Sequence, residues 1–225
     1  MKPRAALLFC ILSLLTVGLF VLDMAVGAVR IPPGDIWAAL TGGNCPAATA
    51  KIVLHIRLLK AVVALTAGAA LAVSGLQMQT LFRNPLAGPY VLGISSGASF
   101  GVALFMLGAP LLGIAGSPGF TALGVAGAAW VGAAAILAVI AAVSRRIRDI
   151  MVILILGMMF GSGVSAVVQI MQYLSDEAAL KSFVIWTMGS LGDVTTSQLA
   201  LLLPAVGAGL VLAVAVIKPL NLLLL

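Results

Sequence analysis

Six stretches of this chain each run for about 20 residues with no charged side chain in the middle, the length an α-helix needs to cross a hydrocarbon core of about 30 Å. They cover Ala5–Val26, Ala61–Leu81, Val91–Leu112, Phe120–Val143, Ile150–Met171 and Leu199–Ile217. Within a bilayer every backbone N–H and C=O must be satisfied inside the protein, and a helix does this within a single segment. The pattern predicts an all-α fold: a polytopic helical membrane protein with six transmembrane helices, in one transmembrane domain over 1–225. Only 8% of the residues are charged, against about 25% in a soluble domain. That is too few to cover a water-facing surface, so the lipid bilayer is the first partner.

The net charge is +6, but the basic residues are scattered between apolar runs, which argues against nucleic acid. They read instead as topology signals. With the N-terminus in the cytoplasm, Lys2, Arg4, Arg83, Arg145, Arg146, Arg148 and Lys218 lie inside, and Arg30, Lys51, Arg57, Lys60 and Lys181 lie outside. The cluster SRRIRD at 144–149 is the strongest local vote, and it falls inside. The first run could also be a signal peptide, because Lys2 and Arg4 precede it and the small residues Ala25, Gly27 and Ala28 follow. Its apolar core is longer than the roughly 7–15 residues of a signal h-region, which favours a spanning helix. Cys10 lies in an apolar run and Cys45 in a polar connection, so no disulfide framework follows.

Two connections are more than turns. Residues 30–60 form a long external segment whose PPGDIWAAL predicts a short amphipathic helix capped near Asp35. Residues 174–198 form a second external segment, which predicts a short helix on the membrane surface with Trp186 at the interface.

Helices in lipid associate through close packing of small residues. Gly93, Gly97 and Gly101 recur on one helix face, as do Gly157 and Gly161, the set Gly124, Ala128 and Gly132, and the set Gly68, Ala72 and Gly75. These faces suit tight packing, or helices that shift against each other during transport. Ser162, Ser165, Gln169 and Gln172 follow 3- and 4-residue steps and share a face of the fifth span. They suit interhelical hydrogen bonding or the wall of a polar-tolerant pathway.

What the spans lack narrows the chemistry. No Asp, Glu, Lys, Arg or His lies mid-span, and Asp23 sits near an outer end. Ion-coupled carriers usually keep an ionisable group in the membrane. The sequence has no G-x-x-x-x-G-K-[ST] phosphate loop, no nucleophile–base pair and no metal-ligand cluster around the single His55. No metal or cofactor is expected, and no catalytic residue. Energy for any transport would come from another subunit.

The segment GAALAVSGLQMQTLFRNPLAGPYVLGISSGASFG at 68–101 closely resembles the membrane permease family of ABC importers for cobalamin, haem and ferric siderophores. IRLLKAVVAL resembles that family's Arg-Leu-Pro-Arg entry to the second span, with Leu59 and Lys60 in place of the proline and the final arginine. ILILGMMFGSGVSAVV resembles the fifth span, and FVIWTMGSLGDVT the surface segment before the sixth. The resemblance implies a ten-helix permease fold of which this sequence supplies six spans. The cytoplasmic coupling helices and the last four spans would follow KPLNLLLL, making 1–225 a partial permease domain.

The resemblance also implies partners: a second permease copy forming a homodimer, cytoplasmic ATPase subunits and an external substrate-binding protein, all at the bacterial inner membrane. By match, Arg57 and Lys60 would form the external basic pair that docks the binding protein. Asn84 and Leu86 would form a cytoplasmic gate, with Ile150 and Met151 as a second constriction where the family usually has small polar residues. Two other readings stay open: a truncated, non-transporting membrane fragment, and an ion-coupled secondary carrier.

Overall fold

A computed structural model of the chain describes residues 3–108, 122–147, 149–192 and 194–222. Every regular element among the described residues is helical. Contacts divide the chain into two compact units, Met1–Ala69 with Ser190–Gly207, and Ala70–Gly189 with Ala208–Leu225.

In the first unit, α1 spans Pro3–Ala25. Its 23 residues reach about 35 Å at 1.5 Å per residue, enough to cross a bilayer. None of its most apolar window is buried in the protein, and Leu7, Phe9 and Leu14 are among its exposed side chains. A water-soluble fold could not leave such a helix bare, so its solvent is lipid. Helix α2 covers Pro33–Thr41 as expected from PPGDIWAAL. Pro33 opens it, where a missing N–H costs nothing, and Asp35 complements the dipole in the first turn. Gly42 ends it at φ 75°, a left-handed cap that suits glycine. Ile36 and Ala39 face inward to a cluster with Met24, Ile31, Val53 and Ala61.

The second span differs from expectation. Helical structure begins not at Ala61 but at Ala47, as α3 (Ala47–Ile52), a π-helical turn (Val53–Arg57) and α4 (Leu58–Leu81). The whole run is 35 residues, about 50 Å long. That exceeds the roughly 30 Å core, so the basic residues at 51–60 ride on helix outside the hydrocarbon and need no loop.

In the second unit, the loop after α4 leads into a single 3-10 turn, Pro89–Leu92, then α5 (Ile94–Met106). At 13 residues, α5 is about 20 Å long, shorter than the span expected from Val91 to Leu112. Gly93 breaks the run at φ 71°, so Val91 and Leu92 belong to the turn, while residues 109–112 lie outside the described residues. Helix α6 covers Ala122–Ser144 and α7 Ile150–Leu174; Phe120, Arg148 and Asp193 are also outside the described residues. Helix α8 covers Glu177–Met188. Helix α9 (Thr196–Ala215) begins within the first unit's residues and ends within the second's, and α10 (Ile217–Leu222) follows.

The glycines decide how closely the helices of this unit approach. A Cβ on Gly101 would overlap the carbonyl oxygen of Ala128, and one on Gly97 would lie 2.6 Å from that of Gly132. One on Gly93 would lie 3.0 Å from the Gly157 carbonyl oxygen, and one on Gly161 3.2 Å from the Gly93 Cα. Thus α5 meets α6 at Gly97, Gly101 and Gly132, and its N-cap Gly93 meets α7 at Gly157 and Gly161. Gly68 and Gly75 differ: nothing lies within 4 Å of a Cβ at either.

Helix α8 starts at Asp176, whose carboxylate accepts from the Ala179 N–H at 3.3 Å. It docks through Phe183, 1% exposed, into a cluster with Val102, Leu107 and Val168. Trp186 is half-buried against Phe183, ring centroids 6.1 Å apart. Phe183→Ala should therefore cost about 3 kcal/mol through the cavity it leaves, read as a lower unfolding temperature in detergent. Val184→Ala, at an exposed site on the same helix, should change little.

Candidate functional site

The groove in the second unit is built by glycine. Because Gly93 and Gly161 carry no side chain, the N-terminal end of α5 comes against the middle of α7 backbone to backbone. Beside that contact a cavity of about 630 Å³ remains, within the range of small-molecule sites. Its polar wall comes from Ser96 on α5 and from Ser162, Ser165 and Gln169 on α7, while Tyr90 and Met158 add an aromatic and a thioether surface.

Residues 162, 165 and 169 lie on one face because the helical period returns every 3.6 residues. The Ser165 hydroxyl donates to the Ser96 hydroxyl at 3.2 Å, tying the two helices. The Ser162 hydroxyl donates back to the Met158 carbonyl at 2.9 Å, leaving its oxygen lone pairs facing the groove. Among the described lining residues none carries a formal charge at neutral pH. Such a wall offers weak, replaceable hydrogen bonds and a polarizable apolar surface. It suits passage of a bulky solute whose charge is masked, and it offers no cation to hold a small anion.

Gln172, expected on the same wall, does not line the groove. Its carbonyl instead accepts from Ser175 at the end of α7, in the turn where Met171 packs toward Phe183.

The residues expected at a gate sit in and beside the loop 82–88. Asn84 Oδ1 accepts from the Leu86 N–H at 2.9 Å, fixing a tight turn. Arg83 takes φ 48°, a left-handed conformation uncommon for a side-chain-bearing residue. Phe82 and Ala87 pin the loop on both sides, 1% and 3% exposed, in a cluster that Ile150 joins. Leu86 is left 84% exposed. Met151 is half-exposed, and its N–H is held by the Asp149 carboxylate at 2.8 Å, the N-cap of α7. The structure thus brings Ile150 into the same core as the loop, and leaves Leu86 and Met151 with free apolar surface.

Of the expected basic pair, Arg57 is buried and Lys60 reaches solvent. Arg57 is 6% exposed, and its guanidinium donates to the carbonyls of Met24 (2.7 Å), Ala25 (3.0 Å) and Val29. Its guanidinium is engaged within the chain, and without it the carbonyl of buried Met24 would lose its partner. Lys60 is about half-exposed and pairs with Asp23 at 3.4 Å. Sequence reasoning missed these partners, which lie 28 to 37 residues away and leave no local pattern.

A model of the FecCD transport family matches residues 14–225. The hemin transport system permease HmuU of Yersinia pestis is 35% identical across 99% of this chain and 64% of its own length. The molybdate import permease MolB of Haemophilus influenzae is 33% identical across 80% of the chain and 52% of its own length. The vitamin B12 import permease BtuC of Klebsiella pneumoniae is 35% identical across 85% and 54%. A solved structure of an inward-facing putative metal-chelate type ABC transporter superposes with a TM-score of 0.79 at 27% identity, covering 97% of this chain and 64% of that one. The chain therefore spans half to two thirds of the length of the relatives it matches. With the family model covering all but the first thirteen residues, the chain is a multi-pass membrane protein that belongs to the FecCD transport family.

Proposed function

We propose that this chain acts within the permease subunit of an ATP-driven importer for a metal chelate: a ferric siderophore, haem or cobalamin. The observation that carries this reading is the uncharged groove between α5 and α7, walled by Ser96, Ser162, Ser165 and Gln169. Hydroxyls and an amide can line the route of a large chelate without trapping it. The similarity to hemin and vitamin B12 permeases supports the chelate class. A compact oxyanion, such as the molybdate named for one relative, would be better served by fixed cations than by this uncharged wall.

In this reading the subunit is not itself an enzyme. Two copies pair around the path, ATPase subunits bind on the cytoplasmic side, where the N-terminus also lies, and a substrate-binding protein docks outside. Asn84 and Leu86 form the cytoplasmic gate: the Asn84 turn holds Leu86 outward, where its side chain can close against Ile150, Met151 and the second copy. Lys60 carries the docking charge, since it is the member of the expected pair that reaches solvent.

Exposed charges steer a partner and are screened by salt. Lys60→Glu should lower binding-protein stimulation of ATPase activity about 3- to 10-fold at low salt, and less at high salt. An unchanged stimulation would remove Lys60 from the docking face. The function itself is tested by assembling the permease with its ATPase in proteoliposomes and following uptake of haem, cobalamin, a ferric siderophore and molybdate. ATP-dependent uptake of one chelate but not molybdate is expected. Uptake of molybdate alone, or uptake driven by an ion gradient without ATP, would overturn it.

A further inference from the structure

Helix α1 ends at Ala25, and the last carbonyls of any helix lack intrahelical partners. Met24 is only 4% exposed, so water cannot supply its carbonyl with a partner. Arg57 does so from the second helical run, and reaches the carbonyls of Ala25 and Val29 with the same guanidinium. A planar fork with five donors can serve three acceptors at once, as a single ammonium cannot in the same geometry. The π-helical turn ends at Arg57. Lys60 follows three residues later, on the same helix face, and meets Asp23 at 3.4 Å. Gly27 completes the arrangement: a Cβ there would lie 2.9 Å from Arg57 Nη2 and 3.1 Å from Cζ, so a side chain there must shift the guanidinium from its present place, and a bulky one shifts it further.

We propose that Arg57 is a positioning residue, an internal cap on α1 that holds Asp23 against Lys60. The external face then presents one ammonium already shared with a carboxylate, in place of two free cations. An acidic partner approaching this face would have to compete with Asp23 for Lys60. The clasp stands on contacts within this chain and does not depend on the docking reading.

The test is the reactivity of Lys60 toward an amine-acylating reagent, measured by peptide mass spectrometry on the protein in nanodiscs. Lys51, exposed on the same helical run, serves as the internal control. Asp23→Asn sets the full effect of losing the pair, expected to be about three- to fivefold faster acylation of Lys60. Gly27→Leu, which alters no charge, and Arg57→Gln should each approach that rate with Lys51 unchanged. General destabilisation would instead raise both lysines together. The proposal is overturned if Arg57→Gln leaves Lys60 at the wild-type rate, if Lys51 rises equally, or if Asp23→Asn itself has no effect. Should Arg57→Gln fail to insert, Gly27→Leu decides alone, and a wild-type rate there overturns the proposal.

Discussion

Replacing Gly101 by valine should prevent the second unit from packing. The new Cβ would overlap the Ala128 carbonyl oxygen and lie 3.2 Å from the Gly132 Cα. Both obstacles are backbone, so no rotamer change relieves the clash and α5 must move away from α6. Overpacking in a tight core costs about 1–3 kcal/mol even where side chains can yield, so the loss here should exceed about 3 kcal/mol. Without a hydrophobic drive between helices in lipid, close contact is most of what holds them together. The expected result is little or no monodisperse protein after extraction in mild detergent. Gly127→Val is the control: it sits on α6, and nothing lies within 4 Å of a Cβ there. It should be extracted like wild type. Equal behaviour of the two variants would show that the α5–α6 contact is not the constraint.

The second large effect is expected at the groove. Ser162→Trp places a bulky ring into the cavity beside Met158 and Ser165. Ser162 is exposed, and its hydroxyl is bonded only to its own helix, so the substitution breaks no interhelical contact. Folding should survive while ATP-dependent uptake falls at least about tenfold, a barrier increase of about 1.4 kcal/mol. Val167→Trp, at an exposed apolar site on the other face of the same helix, should transport normally. If Ser162→Trp transports at the wild-type rate, the groove is not on the route.

The difference between these two sites also shows what periodicity can disclose. Spacing alone put Ser162, Ser165 and Gln169 on one face, and all three line the cavity. Spacing could not show where the cavity stops. Gln172 satisfies the same pattern, yet it lies one turn further along, where Met171 joins the cluster under Phe183. The glycine faces behaved similarly. Gly93, Gly97, Gly101, Gly157 and Gly161 all lie at close backbone approaches, whereas Gly68 and Gly75 share the pattern and touch nothing within 4 Å. A small-residue stripe records that contact is permitted, and the neighbour that uses it lies elsewhere in the sequence.

Charge was the least legible signal. Hydropathy located the apolar cores of the spans, because hydrocarbon thickness sets a length. It mistook the beginning of the second helical run, since Lys51, Arg57 and Lys60 lower hydropathy without breaking a helix. The same habit made Arg57 look exposed. Its partners are carbonyls of Met24, Ala25 and Val29, and backbone acceptors carry no residue signature. Gly27 was the one available trace, a glycine just past a helix end, and such glycines occur for many reasons.

The deciding measurement for a transport path along α7 is the water accessibility of that helix in the working complex. Cysteines would be placed one at a time at 160, 162, 165, 167 and 169 in a background lacking Cys10 and Cys45, then treated with a membrane-impermeant thiol reagent. Substitutions at Ser162, Ser165 and Gln169 should react, and their reactivity should change when ATP is supplied. Those at Phe160 and Val167, which are exposed apolar sites on the other face of the same helix, should stay inert in lipid. Reaction at all five positions alike, or at none of the three groove positions, would contradict a transport path along this face.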